Sequence, residues 1–437
     1  LEIDGPAFSL AKRAFHTHSP VNQGRPLSIP KAAKTLSIII YLVNTLAEYK
    51  HNIPKIYAFK FFSSFGLMAG VLVPFFTEWG KISFTMLMLL QAWFMLWTFL
   101  LEVPTGAVAD YFGRKHSLAL AALVSAVAFG IYTIHPSIYL FLFCEFLLAG
   151  SMALFSGAED AFVYDTLKKT KKSEQSKKIF GRAESFKLGG LMVAAPIGSI
   201  IASRWGLQIP MALQFFPMMV AFLIGLTLKE PKTDKKVESM RYLKILKEGV
   251  GFFYRNRILK ILALDFLVID SIAFFVIWLY QPMLKQAGVS IIYFGIIHAV
   301  IVASEILFMN SYSRMEKWLG GKRRLIFVSS VVTGLAFIIG GLTKFVPLVI
   351  LVIVLAGGFG LGRRPLFSNY LNKYIPSEKR ATVLSSVSML RKFTMVIMYP
   401  LVGLLVDQSL NYTLIGLGAV ALIFALLSRV REEHLVD

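Results

Sequence analysis

The 437 residues are 56% hydrophobic and only 16% charged, with a mean hydropathy of +0.65. A soluble domain carries about a quarter charged residues, and here the apolar residues are gathered into long runs, so a soluble globular fold is excluded. The formal charge of +21 would suggest a nucleic-acid partner in a soluble chain; here the basic residues sit in alternate loops, which reads as membrane orientation and leaves no case for nucleic acid.

The runs do not alternate apolar with polar residues, so the spans are helices rather than barrel strands. Cys144 is the single cysteine, which leaves no internal disulfide and no cysteine metal cluster. Residues 1–52 form a basic arm carrying Lys12, Arg13, Arg25, Lys31 and Lys34. Its stretch Leu36–Val43 is too short for a bilayer that needs about 20 residues, and suits an interfacial helix or a weakly ordered tail. No apolar core followed by a cleavage site appears in the first fifty residues.

Six spans follow over 53–228: Ile53–Phe76, Ile82–Pro104, Ser117–Ile134, Ser137–Tyr164, Ile179–Ser203 and Leu207–Leu228. A polar linker over 229–257 holds Tyr242, Leu243, Ile245, Leu246, Val250, Phe252 and Phe253 in the pattern of an amphipathic surface helix. Six more occupy 258–428: Ile258–Met283, Ser290–Asn310, Leu325–Thr343, Val346–Ser368, Ala381–Val406 and Tyr412–Ser428, with a short tail over 429–437. The loops on one side hold 25 Lys and Arg and those on the other hold 4, namely Lys81, Arg204, Lys285 and Lys344. The positive-inside rule puts both termini and the linker in the cytoplasm. An odd number of spans would mix the two sets.

Between spans two and three stands Gly106-Ala-Val-Ala-Asp110-Tyr-Phe-Gly113-Arg114-Lys115, preceded by Glu102-Val103-Pro104-Thr105. This resembles the signature loop of the major facilitator superfamily, G-x-x-x-D-x-x-G-R-[RK], at the loop where that family carries it; the flanking residues are similar to bacterial, efflux-type members. Gly106 and Gly113 permit close helix approach and a tight turn, and Asp110 suits a helix N-terminus. The resemblance implies that Asp110 faces the start of span eleven and that Arg114 pairs with Asp165 at the end of span four. It also implies an all-α membrane protein of twelve helices in two six-helix, pseudo-symmetric halves. The second half repeats the motif weakly: Gly321-Lys322-Arg323 recurs, but Trp318 and Arg314 stand at the Asp and first Gly positions, and Tyr370-Leu-Asn372 is similar to Tyr164-Asp165.

Polar groups inside the spans are the candidate working residues, because a charge at mid-bilayer costs several kcal/mol unless it faces a cavity or a partner. Asp270 lies near mid-depth on span seven, with Asp265 nearer the cytoplasm and about 140° around the helix. His298 and Glu305 share a face of span eight. Glu145 lies on span four, Gln91 on span two, and Gln281 closes span seven. Asp270, His298, Glu145, Gln281, Gln91 and Glu305 are the candidates for substrate or proton binding; interhelical pairing, such as Asp270 with His298, is the structural alternative. Glu159 and Asp160 read as gate or loop groups. Lys60 snorkels inward, and Arg363 and Arg364 neutralise an anion or pair with acids. Trp93, Trp97, Phe274, Phe275, Trp278 and Tyr280 supply either an apolar pocket or the lipid face.

No nucleotide-binding signature, zinc motif or Ser/His/Asp arrangement is present, so neither an enzyme nor a bound cofactor or metal is expected. The resemblance implies a secondary transporter of the cell (inner) membrane working by alternating access, in its preferred form exporting a small amphipathic molecule against protons. The expected partners are the lipid bilayer, the small-molecule substrate and the proton, and the expected state is a monomer. An uptake permease, a lipid flippase and a non-transporting scaffold or receptor of the same fold are the alternatives. Asp270 is the expected proton carrier.

Overall fold

The computed structural model describes residues 49, 51–231, 251, 255–375 and 380–435; the basic arm before Tyr49 and the amphipathic stretch of the linker lie outside the described residues. The side chain of Asp110 lies outside them too, so its expected place at the start of span eleven does too.

All described regular structure is helical. The first half comprises α1 (Asn52–Ser63), α2 (Phe84–Phe112), α3 (Arg114–Tyr132), α4 (Ile138–Lys169), α5 (Ser176–Trp205) and α6 (Phe215–Thr227, after a short helix Gln208–Leu213). The second comprises α7 (Arg257–Phe274, continued by Val276–Gln286), α8 (Phe294–Leu319), α9 (Lys322–Leu342), α10 (Val346–Leu355, continued to Lys373), α11 (Arg380–Gln408) and α12 (Leu410–Leu427). Eleven of these segments are long and apolar enough to cross a membrane, which makes this a multi-pass membrane protein.

The first span differs from its expected form. In a stretch holding Ser63, Ser64, Gly66 and Gly70, helix α1 stops at Ser63, and helical structure resumes only at Leu72–Pro74 and the wide turn Phe75–Trp79. Free backbone groups at membrane depth must be satisfied by protein. Here they are: Leu67 N donates to Gln214 Oε1 at 2.8 Å and Val73 N to Gln281 Oε1 at 2.8 Å. Ala69 O accepts from Tyr280 Oη at 3.0 Å and from Gln281 Nε2 at 2.9 Å.

Helix packing follows two six-helix groups. Helices α2 and α3 pack on α4, α1 and α3 on α6, and α1 on α5; in the second group α9 packs on α12 and α10, and α7 on α10 and α12. Contact between the groups runs through α2 with α11 and through α5 with α8. The α5–α8 crossing depends on glycine, since a Cβ on Gly295 would collide with the backbone of Ala195; likewise a Cβ on Gly198 of α5 would collide with the carbonyl of Leu67 in the broken first span. Small residues allow backbones to approach where lipid offers no hydrophobic drive for packing.

The basic face shows the repeat in a form the sequence reading missed. Glu230, just past α6, accepts from Arg114 N (3.0 Å) and Lys115 N (2.6 Å), capping α3. Glu432, just past α12, accepts from Lys322 N and Arg323 N, both at 2.8 Å, capping α9. Each carboxylate takes two otherwise unpaired helix-start amides at the positive end of the helix dipole. Gly113, at φ 94°, makes the turn that aims α3 at Glu230. The weak second copy of the loop thus keeps its cap although it lacks the motif's acid.

Gln281 ties span seven to the broken first span from across the halves. Gln281→Ala is expected to free Val73 N and weaken the hold on Ala69 O, at about 1–3 kcal/mol for each group left bare. A cysteine placed at Leu72, in a chain lacking Cys144, should then be labelled several-fold faster from the Lys285 side; unchanged labelling would remove the clamp reading.

Candidate functional site

A cavity of about 350 Å³ lies within the first half, lined from α1 through α6. Its walls are largely apolar, with Met68, Met152, Met211, Met218, Phe94 and Phe129 among them. Thioether and aromatic walls adapt to differently shaped apolar ligands.

The polar centre of the cavity is Glu145. It is 5% exposed, and its Oε1 accepts from Tyr132 Oη at 2.8 Å and Gln91 Nε2 at 3.1 Å. Oε2 accepts no hydrogen bond among the described residues, and Glu145 forms no ion pair there. The other charged lining groups are paired: Glu159 with Lys60 at 3.3 Å and Lys187 with Glu184 at 3.0 Å. Helix geometry sets the trio: Gln91 on α2, Tyr132 in the last turn of α3 and Glu145 on α4 meet because α4 packs on both neighbours. Two of the three, Gln91 and Glu145, are sequence candidates; Tyr132 is not, because a Tyr in an apolar run is indistinguishable from core until its partner is known. Cys144, the neighbour of Glu145, is buried.

A second cluster lies in the other half. Asp270 is fully buried and accepts from Arg364 Nε at 2.5 Å and Arg391 Nε at 2.7 Å. Phe274, one turn further along α7, holds both guanidinium groups over its ring, at 5.4 and 5.3 Å from the centroid. The side chains of Arg364 and Arg391 remain 33% and 27% exposed. Asp265 serves the adjacent arginine: Arg363 Nη2 meets it at 2.6 Å, and Ser330 and Ser428 complete that buried pair. The angular offset of Asp265 and Asp270 on α7 thus matches two neighbouring arginines pointing apart. Both arginines closely follow Ala356–Leu361, a glycine-rich wide turn within α10.

Span eleven supplies what sequence reasoning overlooked. Arg391 and Lys392 are adjacent cations inside an apolar run, a signal for a partnered or cavity-facing site. Lys392 pairs with Glu102 on α2 at 2.8 Å, across the halves. Glu305 lies within electrostatic reach of Arg364 and Asp270 in its own half and of Glu184 and Lys187 on α5.

The remaining candidates lie apart. His298 is buried beside Tyr280, ring centroids 5.6 Å apart; among the described residues neither ring nitrogen has a hydrogen-bond partner, and it does not meet Asp270. Gln281 is committed to the first span. Trp93 donates to Leu142 O and packs on Trp97, which packs on Phe146; neither lines the cavity of Glu145. Phe275 and Trp278 pack on Tyr399.

In the signature loop, Arg114 Nη1 donates to Ala161 O at 2.7 Å and to the carboxylate of Asp165. Lys115 contributes its backbone amide to Glu230. At Gly106 an added Cβ meets nothing within 4 Å, so the close approach expected there is absent among the described residues.

No group of three or more metal-ligating side chains occurs among the described residues. The arrangement offers one unpaired carboxylate in an apolar cavity, one carboxylate shared by two arginines over an aromatic ring in the other half, and links between halves at both α2–α11 and the first span.

The family model described as Major Facilitator Superfamily matches residues 56–320. A comparison with curated proteins returns no match. Among solved structures, a POT family transporter in complex with 5-aminolevulinic acid aligns with TM-score 0.71 at 15% identity, over 88% of this chain and 96% of that one. The nucleoside transporter NupG aligns with TM-score 0.68 at 16% identity, over 88% and 96%. A D-xylose-proton symporter aligns with TM-score 0.64 at 13% identity, over 88% and 98%. At these identities the likeness is one of fold.

Proposed function

Because this chain belongs to the major facilitator superfamily, we propose that it is a secondary transporter that exports a small amphipathic cation in exchange for protons by alternating access. The observation that carries this reading is Glu145: a carboxylate with one oxygen held by Tyr132 and Gln91 and the other free, inside a Met- and Phe-lined cavity. A proton and a substrate cation compete for the same carboxylate, so binding one releases the other, and that mutual exclusion is the coupling. The apolar walls take the rest of the substrate.

The expected proton carrier, Asp270, has a different setting. Its two oxygens are each engaged by a guanidinium, and a carboxylate so held serves as counter-ion to Arg364 and Arg391. We therefore place coupling on Glu145 and give Asp270 the task of holding α7, α10 and α11 together. The N- and C-terminal halves rock about the α2–α11 and α5–α8 contacts, with Lys392–Glu102 made or broken as they move.

The test is transport in proteoliposomes with an imposed pH gradient, screened over lipophilic cations and neutral analogues. Cations should move against the proton gradient and acidify or alkalinise the lumen accordingly. Uptake of neutral solutes along the proton gradient, with no cation movement, would transfer the protein to the permease reading.

Arg114→Ala is expected to slow turnover roughly tenfold, about 1.4 kcal/mol in the conformational step, because the α3–α4 corner loses its side-chain bond to Asp165. The corner keeps its Glu230 cap. Initial rates measured on monodisperse protein check it; wild-type turnover would refute a role for the corner in gating.

A further inference from the structure

The basic face carries a cleft that the transport reading does not use. It lies between the start of α7, the start of α9 and the chain following α12, and measures about 940 Å³. Arg257, Arg323, Arg429 and Arg431 line it, together with Glu432 and Glu433. Both acids are already engaged. Glu432 caps α9 through Lys322 N and Arg323 N, and Glu433 meets Arg431 at 3.3 Å. Arg257, Arg323 and Arg429 have no side-chain ion pair or hydrogen bond among the described residues. A cleft holding three unanswered guanidinium groups has no internal reason to gather them, since like charges repel.

The turn that opens α3 in the first half is answered within the protein. There Arg114 is answered by Asp165. Its counterpart in the second half, Lys322, donates Nζ to Leu435 O at 3.0 Å, so neither turn answers the three arginines of the cleft.

The cleft also has an apolar flank. A narrower recess lined by Arg323, Phe327, Leu426 and Ser428 adjoins it. Phe327, Leu426 and Leu427 are 41%, 73% and 70% exposed, on membrane-spanning stretches of α9 and α12. Arginine forks match phosphate oxygens, and exposed apolar side chains directly beyond them match acyl chains. A free phosphate ion would use only the first of these two features.

We propose that this cleft is a binding site for the headgroup of an anionic phospholipid of the adjoining leaflet, with its acyl chains along Phe327 and Leu426. Basic pockets between spans on the positive side attract such headgroups. Occupied, the site ties α7, α9 and the segment after α12 together at the end of the second half, next to the buried Arg363–Asp265 pair whose Ser428 contact belongs to the same segment.

The test uses the full chain purified in neutral detergent, titrated with phosphatidylglycerol, phosphatidylcholine or inorganic phosphate, with bound lipid read by native mass spectrometry and stability by thermal unfolding. Phosphatidylglycerol should bind saturably and raise Tm, while phosphatidylcholine and inorganic phosphate do neither. Arg257→Gln/Arg429→Gln should weaken that binding by roughly tenfold for each arginine lost. Lys168→Gln/Lys169→Gln, an equal change of charge on another basic loop, should leave it intact. If the double arginine variant misfolds, Arg257→Lys/Arg429→Lys keeps the charge but loses the forks and should still bind more weakly than wild type. Equal responses to phosphatidylcholine, equal losses from the lysine variant, or no saturable binding would each overturn the proposal. A response to inorganic phosphate as large as to the lipid would replace it with a free-anion site.

Discussion

Replacing Glu145 with Gln is expected to abolish accumulation driven by a pH gradient while leaving a folded protein. The amide keeps the volume and still accepts from Tyr132 and Gln91 through its oxygen, so the three-helix junction survives. The variant loses the charge that a cation and a proton share. Loss of one charge-assisted contact in a buried site costs about 1.5–3 kcal/mol, which is roughly a ten- to hundredfold drop in cation affinity. Neutral analogues of the same substrate should bind the variant as they bind wild type, since the Met and Phe walls are unchanged. The measurement is paired: cation binding as a function of pH, and accumulation under an imposed gradient. Wild-type binding at low affinity cost, with pH dependence retained, would show that the proton is carried elsewhere.

Asp270→Asn is expected to act on stability first. The substitution leaves Arg364 and Arg391, both held over the Phe274 ring, without the carboxylate to which each donates. Removing one partner of a buried ion pair costs about 3–5 kcal/mol, because the remaining charge stays desolvated. The exposure of about a third of each arginine side chain lets water recover part of this, so the lower end of that range is the expectation. Asp270→Asn/Arg391→Gln removes one charge of each sign and should be more stable than the single variant, a non-additivity that a double-mutant cycle reads directly. Were Asp270 instead the proton carrier, Asp270→Asn would resemble its protonated form: it would fold normally, exchange substrate and fail only under a pH gradient. Thermal unfolding and exchange assays on the same preparations separate the two accounts.

What the sequence by itself determined rests on properties carried by contiguous residues. A run of about 20 apolar residues spans a bilayer wherever it occurs, so the helical class, the membrane setting and twelve spans were legible without any partner, and eleven of those spans are helices long and apolar enough to cross. Gly113 and Arg114 were legible because a tight turn and its basic residue are local, and the family resemblance supplied Asp165. Only the tertiary structure decided the rest, because it depends on groups far apart in the chain. The first span breaks near Ser63, Ser64 and Gly66, and the break survives because Gln214 and Gln281, 147 and 208 residues away from the amides that donate to them, satisfy its bare backbone. The two mid-span acids looked alike in sequence. Asp270 met arginines 94 and 121 residues away and became a counter-ion, while Glu145 met only neutral donors and kept one oxygen open to a cavity. Which charges a buried carboxylate meets is set by how helices pack, and hydropathy, being a property of one helix at a time, carries no record of it.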